Sequence, residues 1–396
     1  LGRDSGANFT DNHNNIAIGH GALDAAAAGE LYNIAIGSGA LGAENGNANY
    51  CVAIGHNALT LQNGTAVKNT AIGGLAGDAI VAGTENTFVG YAAGSAVSSG
   101  NSNTAVGHSA YVGGTGSDNT CIGTHAGDAA MTGANNVCVG SHAGGALTSG
   151  PGNVLIGKSA GVAMSTSDYN VAIGYDALKA LTTNSHHNIA IGKNAMLAQA
   201  ASQGGGSITD GSVSSIAIGT NALSAQNSED GINLAIGYNC GDAISTGTAN
   251  VLIGHQAGTA LADDSFNTAL GYNALLTAQS NNNTAVGYLA AKMVATGGDN
   301  TVLGAYAMQL ADGGESDNTA IGRSALYNIN SDTADNNVAV GRDAGRFTPD
   351  GGAGTAMTQS IQSCYIGAST NSVAAAGATN EIVIGYATVG LGTNTV

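Results

Sequence analysis

The chain has 396 residues, more than one ordinary compact core accommodates, with 63 Gly, 2 Pro, no Trp and only 9% charged side chains. Its 43% hydrophobic content excludes the disordered class, which combines low hydrophobicity with high charge. A net charge of -17 with nine Lys and Arg excludes a nucleic-acid-binding or anionic-membrane-binding class, and no run of about 18 apolar residues could cross a membrane.

Taken in chain order, one motif recurs from end to end: Asn-x-x-(Ile/Val/Leu)-Gly. It opens at Asn15–Gly19 and Asn33–Gly37, continues through Asn69–Gly73, Asn103–Gly107 and Asn170–Gly174, and passes Asn267–Gly271 and Asn283–Gly287 to a last copy ending at Gly385. Successive motif glycines lie 16 to 19 residues apart, except Gly192 to Gly219 (27) and Gly341 to Gly367 (26). Residues 1–396 therefore read as one continuous repeat array, with loop insertions near 198–213 and 345–361.

The columns of the 21 copies are strict. The residue before Gly is always Ile, Val or Leu; four before it is Asn in 17 copies, the exceptions being Cys51, Ser215, Ser363 and Glu381; three after it is Ala in 18. Such columns mean that equivalent residues stack in space. Runs such as Thr70-Ala71-Ile72 and Val171-Ala172-Ile173 have strand chemistry, and Gly closes each run where a positive φ or a close backbone contact is needed. The expected fold is all-β: a parallel β-solenoid of about 17–18 residues per coil. Two short strands per coil are expected, with Asn at the corner, where it tolerates left-handed dihedrals and pairs amides from coil to coil. At about 4.8 Å per coil the array would form a rod of about 100 Å. Gly and Ser in segments such as Ala143–Ser149 argue against a helix in every coil.

None of the three strand positions before any motif Gly carries a charge. Alternate strand residues face opposite sides, so one apolar column should point outward. The expectation is that the mostly Ala column two before Gly does so and packs on another copy of the chain.

The motif Asn-x-Ala-(Ile/Val)-Gly-x-x-Ala resembles the head repeats of YadA-like trimeric autotransporter adhesins. The stretches Asn267–Ala274 and Asn283–Ala290 resemble even more the Asn-Thr-Ala-(Ile/Val)-Gly-Tyr-x-Ala arrays of phage tail fibres. Residues Thr379–Tyr386 and Gly390–Val396 resemble the segment preceding an intramolecular chaperone in such fibres. The resemblance covers essentially the whole chain and implies a homotrimeric, left-handed parallel β-roll.

Chemistry-bearing residues are sparse. His20, His56, His108, His255, His125 and His142 follow a motif Gly by one or two places. They could form a metal or pH-sensing ladder, but no carboxylate or Cys column accompanies them, and a polar corner row shared with Tyr91, Tyr175, Tyr238, Tyr272, Tyr288 and Tyr386 is the better reading. The loop acids Glu85, Asp118, Asp299 and Asp317 lack the dense spacing of calcium repeats. No column supplies a carboxylate pair for glycan hydrolysis, nor a positioned Ser-His-Asp set. Cys121 and Cys138 share a column in adjacent coils, within disulfide range, though buried thiols are the simpler reading. Thr70, Thr87, Thr104, Thr120 and Thr268, Thr284, Thr301, Thr319 form two runs three before Gly; such an array could bind ice, but Val154 and Ile189 hold the same column, as in a core.

The expected function is therefore structural and non-enzymatic, without cofactor: a phage tail-fibre shaft in the virion, serving host attachment. Its expected partners are its own copies, neighbouring fibre or baseplate proteins, and a host surface receptor or glycan; nucleic acid and membrane insertion are not expected. The alternative is a trimeric adhesin on a bacterial surface, whose repeats contact a host or matrix partner. Gly2–Gly6 matches Gly341–Gly345, and Asn394–Val396 opens another motif, so the chain is expected to be an excerpt of a longer fibre.

Overall fold

The computed structural model describes residues 2–8, 13–25, 29–43, 48–64, 67–181, 185–198, 214–227, 232–329, 331–346, 360–373 and 378–396. The insertions expected near 198–213 and 345–361 fall almost entirely outside the described residues. Those described form a parallel β-solenoid with no helix among them. They divide at Lys193/Asn194 into two compact units. The first holds eleven strands, β1 (Ile16–Ile18) through β11 (Ile189–Ile191), and the second ten, β12 (Ile216–Ile218) through β21 (Ile382–Ile384).

Within each unit every strand pairs in parallel, in register, with the strand of the next coil. Ile34 faces Val52 and Ala35 faces Ala53 in the first unit; Thr268 faces Thr284 and Ala269 faces Ala285 in the second. Register is set because a slip of one residue would turn every side chain to the other face.

Each coil carries one three-residue strand, not the two expected. The Ala-containing segment after the Gly is a run of turns. Left-handed residues recur in it at alternate positions, as at Asn57 (φ 54°) and Leu59 (φ 51°), so it cannot extend into a strand. It still bonds between coils: Leu41 N–H donates to the Ala58 carbonyl (3.0 Å) and Gly94 N–H to the Ala110 carbonyl (2.9 Å). The corner differs too. The left-handed residue is the one before the motif Asn, for instance Glu85 (φ 61°), Asp118 (φ 59°), Asp299 (φ 59°) and Asp317 (φ 59°). Asp and Asn are enriched where a non-Gly residue must take that conformation, which fits Asp118, Asp299 and Asp317.

The motif Gly does what its column predicted. At Gly107 φ is +135°, and a Cβ would lie 2.6 Å from the Gly123 carbonyl oxygen of the next coil. Any side chain there would push the coils apart.

The strand columns correct the expected orientation. The middle residue points into the coil: Ala35, Ala53, Ala71, Ala105, Ala285 and Ala320 are fully buried, as are Phe88, Cys121, Cys138, Leu155 and Leu252 in the same column. The Ala column is therefore the core and not an outward seam. With the second column, three residues after Gly (Ala40, Ala58, Ala110, Ala274), and fillers such as Leu59, Ile80, Met131 and Leu275, it makes a narrow apolar interior. The reason is geometric: side chains from both walls of one thin coil must share the space, so one column has to be small. The columns on either side, including all the Thr once read as core, face outward.

Candidate functional site

Two features of the solenoid reach the surface in every unit: the outer face of the sheet and the corner after the motif Gly. A third, the Asn column, runs through the interior.

The Asn column satisfies buried backbone groups. Asn86, Asn103 and Asn119 each donate a backbone N–H to the Oδ1 of the preceding column Asn, at 2.8, 2.9 and 2.9 Å. Each Nδ2 donates to a loop carbonyl of the next coil, as Asn86 does to Gly100 (2.8 Å) and Asn103 to Gly116 (2.9 Å). Asn15, Asn33 and Asn170 accept in the same way from the N–H of Asn33, Cys51 and Asn188 (2.8, 2.9 and 2.9 Å). Asn69 accepts from Asn86, and in the second unit Asn267 and Asn283 accept from Asn283 and Asn300 (2.9 and 3.1 Å). Two exceptions to the column keep its chemistry: Ser215 Oγ accepts from Asn233 N–H and Ser363 Oγ from Glu381 N–H, both at 3.2 Å. The paired glycines Gly19, Gly37, Gly73, Gly107, Gly174, Gly271 and Gly287 all have φ between +134° and +144°. These motif residues thus hold coil to coil.

The outer sheet face carries the first and third residue of each strand. It contains Thr, Ile, Val, Leu and one Cys, and no charge. Ile18 is 46% exposed and Leu303 48%, large values for aliphatic side chains in a sheet. Thr70, Thr87, Thr104 and Thr120 follow one another on this face in the first unit, and Thr268, Thr284, Thr301 and Thr319 in the second.

At the corner after Gly, the aromatic residues stack. Tyr91, His108, His125 and His142 follow one another at ring-centroid distances of 5.5, 5.4 and 5.2 Å. In the second unit Tyr238, His255, Tyr272, Tyr288 and Tyr306 make a five-ring ladder at 5.2, 5.0, 5.5 and 5.2 Å. The first four rings lie within 20° of parallel to their neighbours and Tyr306 meets Tyr288 edge-on at 77°. The sequence placed the first four in one row and missed Tyr306, which sits one residue further from its Gly because Ala305 takes the usual place. His125 Nδ1 also pairs with Asp128 at 2.9 Å. Among the described residues no three His, Cys, Asp or Glu side chains gather as metal ligands.

Cys121 in β7 (Thr120–Ile122) faces Cys138 in β8 (Val137–Val139), both fully buried and both free. Contact with the Cys138 thiol, then burial, push the Cys121 thiol well above its ordinary range. They pack as small apolar groups.

Comparison of the chain with protein-family models, with curated proteins and with solved structures gives no match.

Proposed function

We propose that this chain is the shaft of a homotrimeric fibre, of the kind built by phage tail fibres and YadA-like adhesin heads, and that it serves host attachment from a virion. The parallel β-solenoid is a fold compatible with a fibrous structural protein. On this reading the chain has no catalytic role. Its partners are two further copies of itself, adjoining fibre or baseplate proteins, and a host receptor or glycan. A bacterial surface adhesin with the same shaft is the alternative, and it differs in where the fibre is anchored.

One observation carries the trimer: the uncharged outer face of the sheet, mostly aliphatic outside its Thr runs. An exposed apolar surface repeated coil after coil invites association. A partner for it must repeat at the coil spacing, and a second copy of this chain does so by construction. The seam is assigned to the outward residues, such as Val106 and Val286, and not to Ala105 and Ala285, which are interior. Light scattering on the purified chain should give three times the 38.3 kDa chain mass. Val106→Lys and Val286→Lys should yield folded chains of lower order; a monomeric wild type would overturn the proposal.

The outward Thr runs favour a second reading, an ice-binding face. The Thr column, though it shares its place with Val154 and Ile189, faces outward and not into the core. This reading requires the face to be free of other chains. Thermal hysteresis in freezing solution from a monomeric preparation would support it, and a trimer using this face would exclude it.

A further inference from the structure

We propose that the ladder Tyr238–His255–Tyr272–Tyr288–Tyr306 is a binding edge for an extended β-linked polysaccharide, one sugar ring per coil.

Three observations carry this. The first is pitch. The rings repeat at 5.0–5.5 Å. A pyranose in an extended β-1,4-linked chain advances by a length of this size, so a polymer laid along the ladder meets an equivalent ring at each step. The match is set by the coil spacing of a parallel sheet and persists over five coils.

The second is presentation. Face-to-face stacking hides the ring faces and turns the edges outward, and Tyr238, Tyr272 and Tyr288 remain 48, 45 and 46% exposed. Each edge ends in a phenol hydroxyl or an imidazole nitrogen, groups that both donate to and accept from sugar hydroxyls. The stack already fixes the side chains, so little rotamer freedom is lost on binding.

The third is segregation of charge. Asp and Glu outnumber Lys and Arg by 26 to 9 in the whole chain. Yet of the 21 residues that follow a motif Gly, none is acidic, six are Tyr, four are His and four are Lys or Arg. Arg323 and Arg342 take that place in the two coils after the ladder, and both are exposed. Stacking alone would stabilise the coils with any aromatic residue, Phe included. It does not call for hydroxyl-bearing rings, or for a carboxylate-free row in so acidic a chain. A polymer of hydroxyl groups, with or without carboxylates, is what such an edge suits.

The inference is independent of the trimer, because the ladder occupies the corner and not the outer sheet face. The test uses the full chain in whatever assembly it adopts. Calorimetric titration is carried out with β-1,4-linked oligosaccharides of two to six glucose, xylose, N-acetylglucosamine or mannuronate units, with an α-1,6-linked glucose hexasaccharide as the kinked control. At least one β-1,4 probe should bind, more tightly as it lengthens from two sugars to five, and the control should not. The double variant Tyr272→Phe/Tyr288→Phe keeps the stack and removes two hydroxyls. It should melt as the wild type does and bind about tenfold more weakly, the loss expected for two hydrogen bonds. The pair Tyr32→Phe/Tyr50→Phe, a separate exposed stack, should leave binding unchanged. The proposal is overturned if no β-1,4 probe binds, if affinity does not grow with length, or if the Tyr272/Tyr288 variant binds as the wild type does.

Discussion

Phe88 and Gly94 are a matched pair within one coil: a Cβ placed on Gly94 would lie 2.6 Å from the Phe88 ring. The same exchange recurs. Four further coils pair a larger middle strand residue with Gly six positions later: Cys121 with Gly127, Cys138 with Gly144, Leu155 with Gly161 and Leu252 with Gly258. Several coils with Ala in the strand carry a large residue there instead, as in Ala35 with Leu41, Ala53 with Leu59 and Ala172 with Leu178, while Gly77 and Gly241, in coils with Ala71 and Ala235, make room for Phe88 and Leu252 of the next coil. In these coils the two side chains compete for one volume, and close packing allows one large occupant.

Gly94→Ala should destabilise the chain by about 1–3 kcal/mol through overpacking, and Phe88→Ala by about 3–5 kcal/mol through the cavity left behind. The double variant Phe88→Ala/Gly94→Leu rebuilds the Ala53/Leu59 arrangement and should recover most of the loss. Denaturant unfolding of the three variants measures the coupling. Additive losses in the double variant would contradict the shared-volume account.

Asn103→Ala removes the acceptor for the buried Asn119 N–H and should cost about 1–3 kcal/mol. Asn103→Ser should cost less, because Ser215 and Ser363 already accept the equivalent bond in their own coils. Thermal melts of the two variants side by side decide it, and equal losses would count against the role given to the column.

Glu315 is buried and accepts from the N–H groups of Ser331 (2.7 Å) and Gly313 (3.0 Å), yet burial outweighs these bonds and raises its carboxyl above the ordinary glutamate range. A raised folded-state value means that the folded chain binds the proton more tightly than the unfolded one. The stabilisation is present in full below the ordinary glutamate value and is lost as pH rises through the raised one. Wild type should therefore gain stability on acidification across that window relative to Glu315→Gln. Parallel pH-dependent melts of the two proteins would refute this if they ran at constant separation.

Cys51, Cys121, Cys138 and Cys240 are buried, and Cys364 is half-buried. Thiolate is the reactive form, and burial raises the thiol of Cys364 while raising that of Cys240 to about 12. Aromatic-disulfide titration of the native protein should thus label at most Cys364 readily, with the other four appearing on unfolding. Rapid native labelling of Cys121 or Cys138 would show that the interior opens.

The repeat, its coil length, the parallel solenoid and the strand in each coil were legible in the sequence alone, because stacking forces equivalent residues into columns and Gly107, Gly271 and their counterparts tolerate no substitute. What the sequence left undecided is which way those columns point. Thr70-Ala71-Ile72 is apolar or neutral on both sides, so its alternation has no polar face to mark the outside, and only the closed coil shows that Ala71 fills the narrow interior while Thr70 and Ile72 look out. The Ala-rich segment reads as a strand until the left-handed residues Asn57 and Leu59 show that it turns. Tyr306 joins its ladder from a place the spacing did not mark. Side-chain direction depends on how the coil closes on itself, a property of three dimensions that a column of letters does not carry.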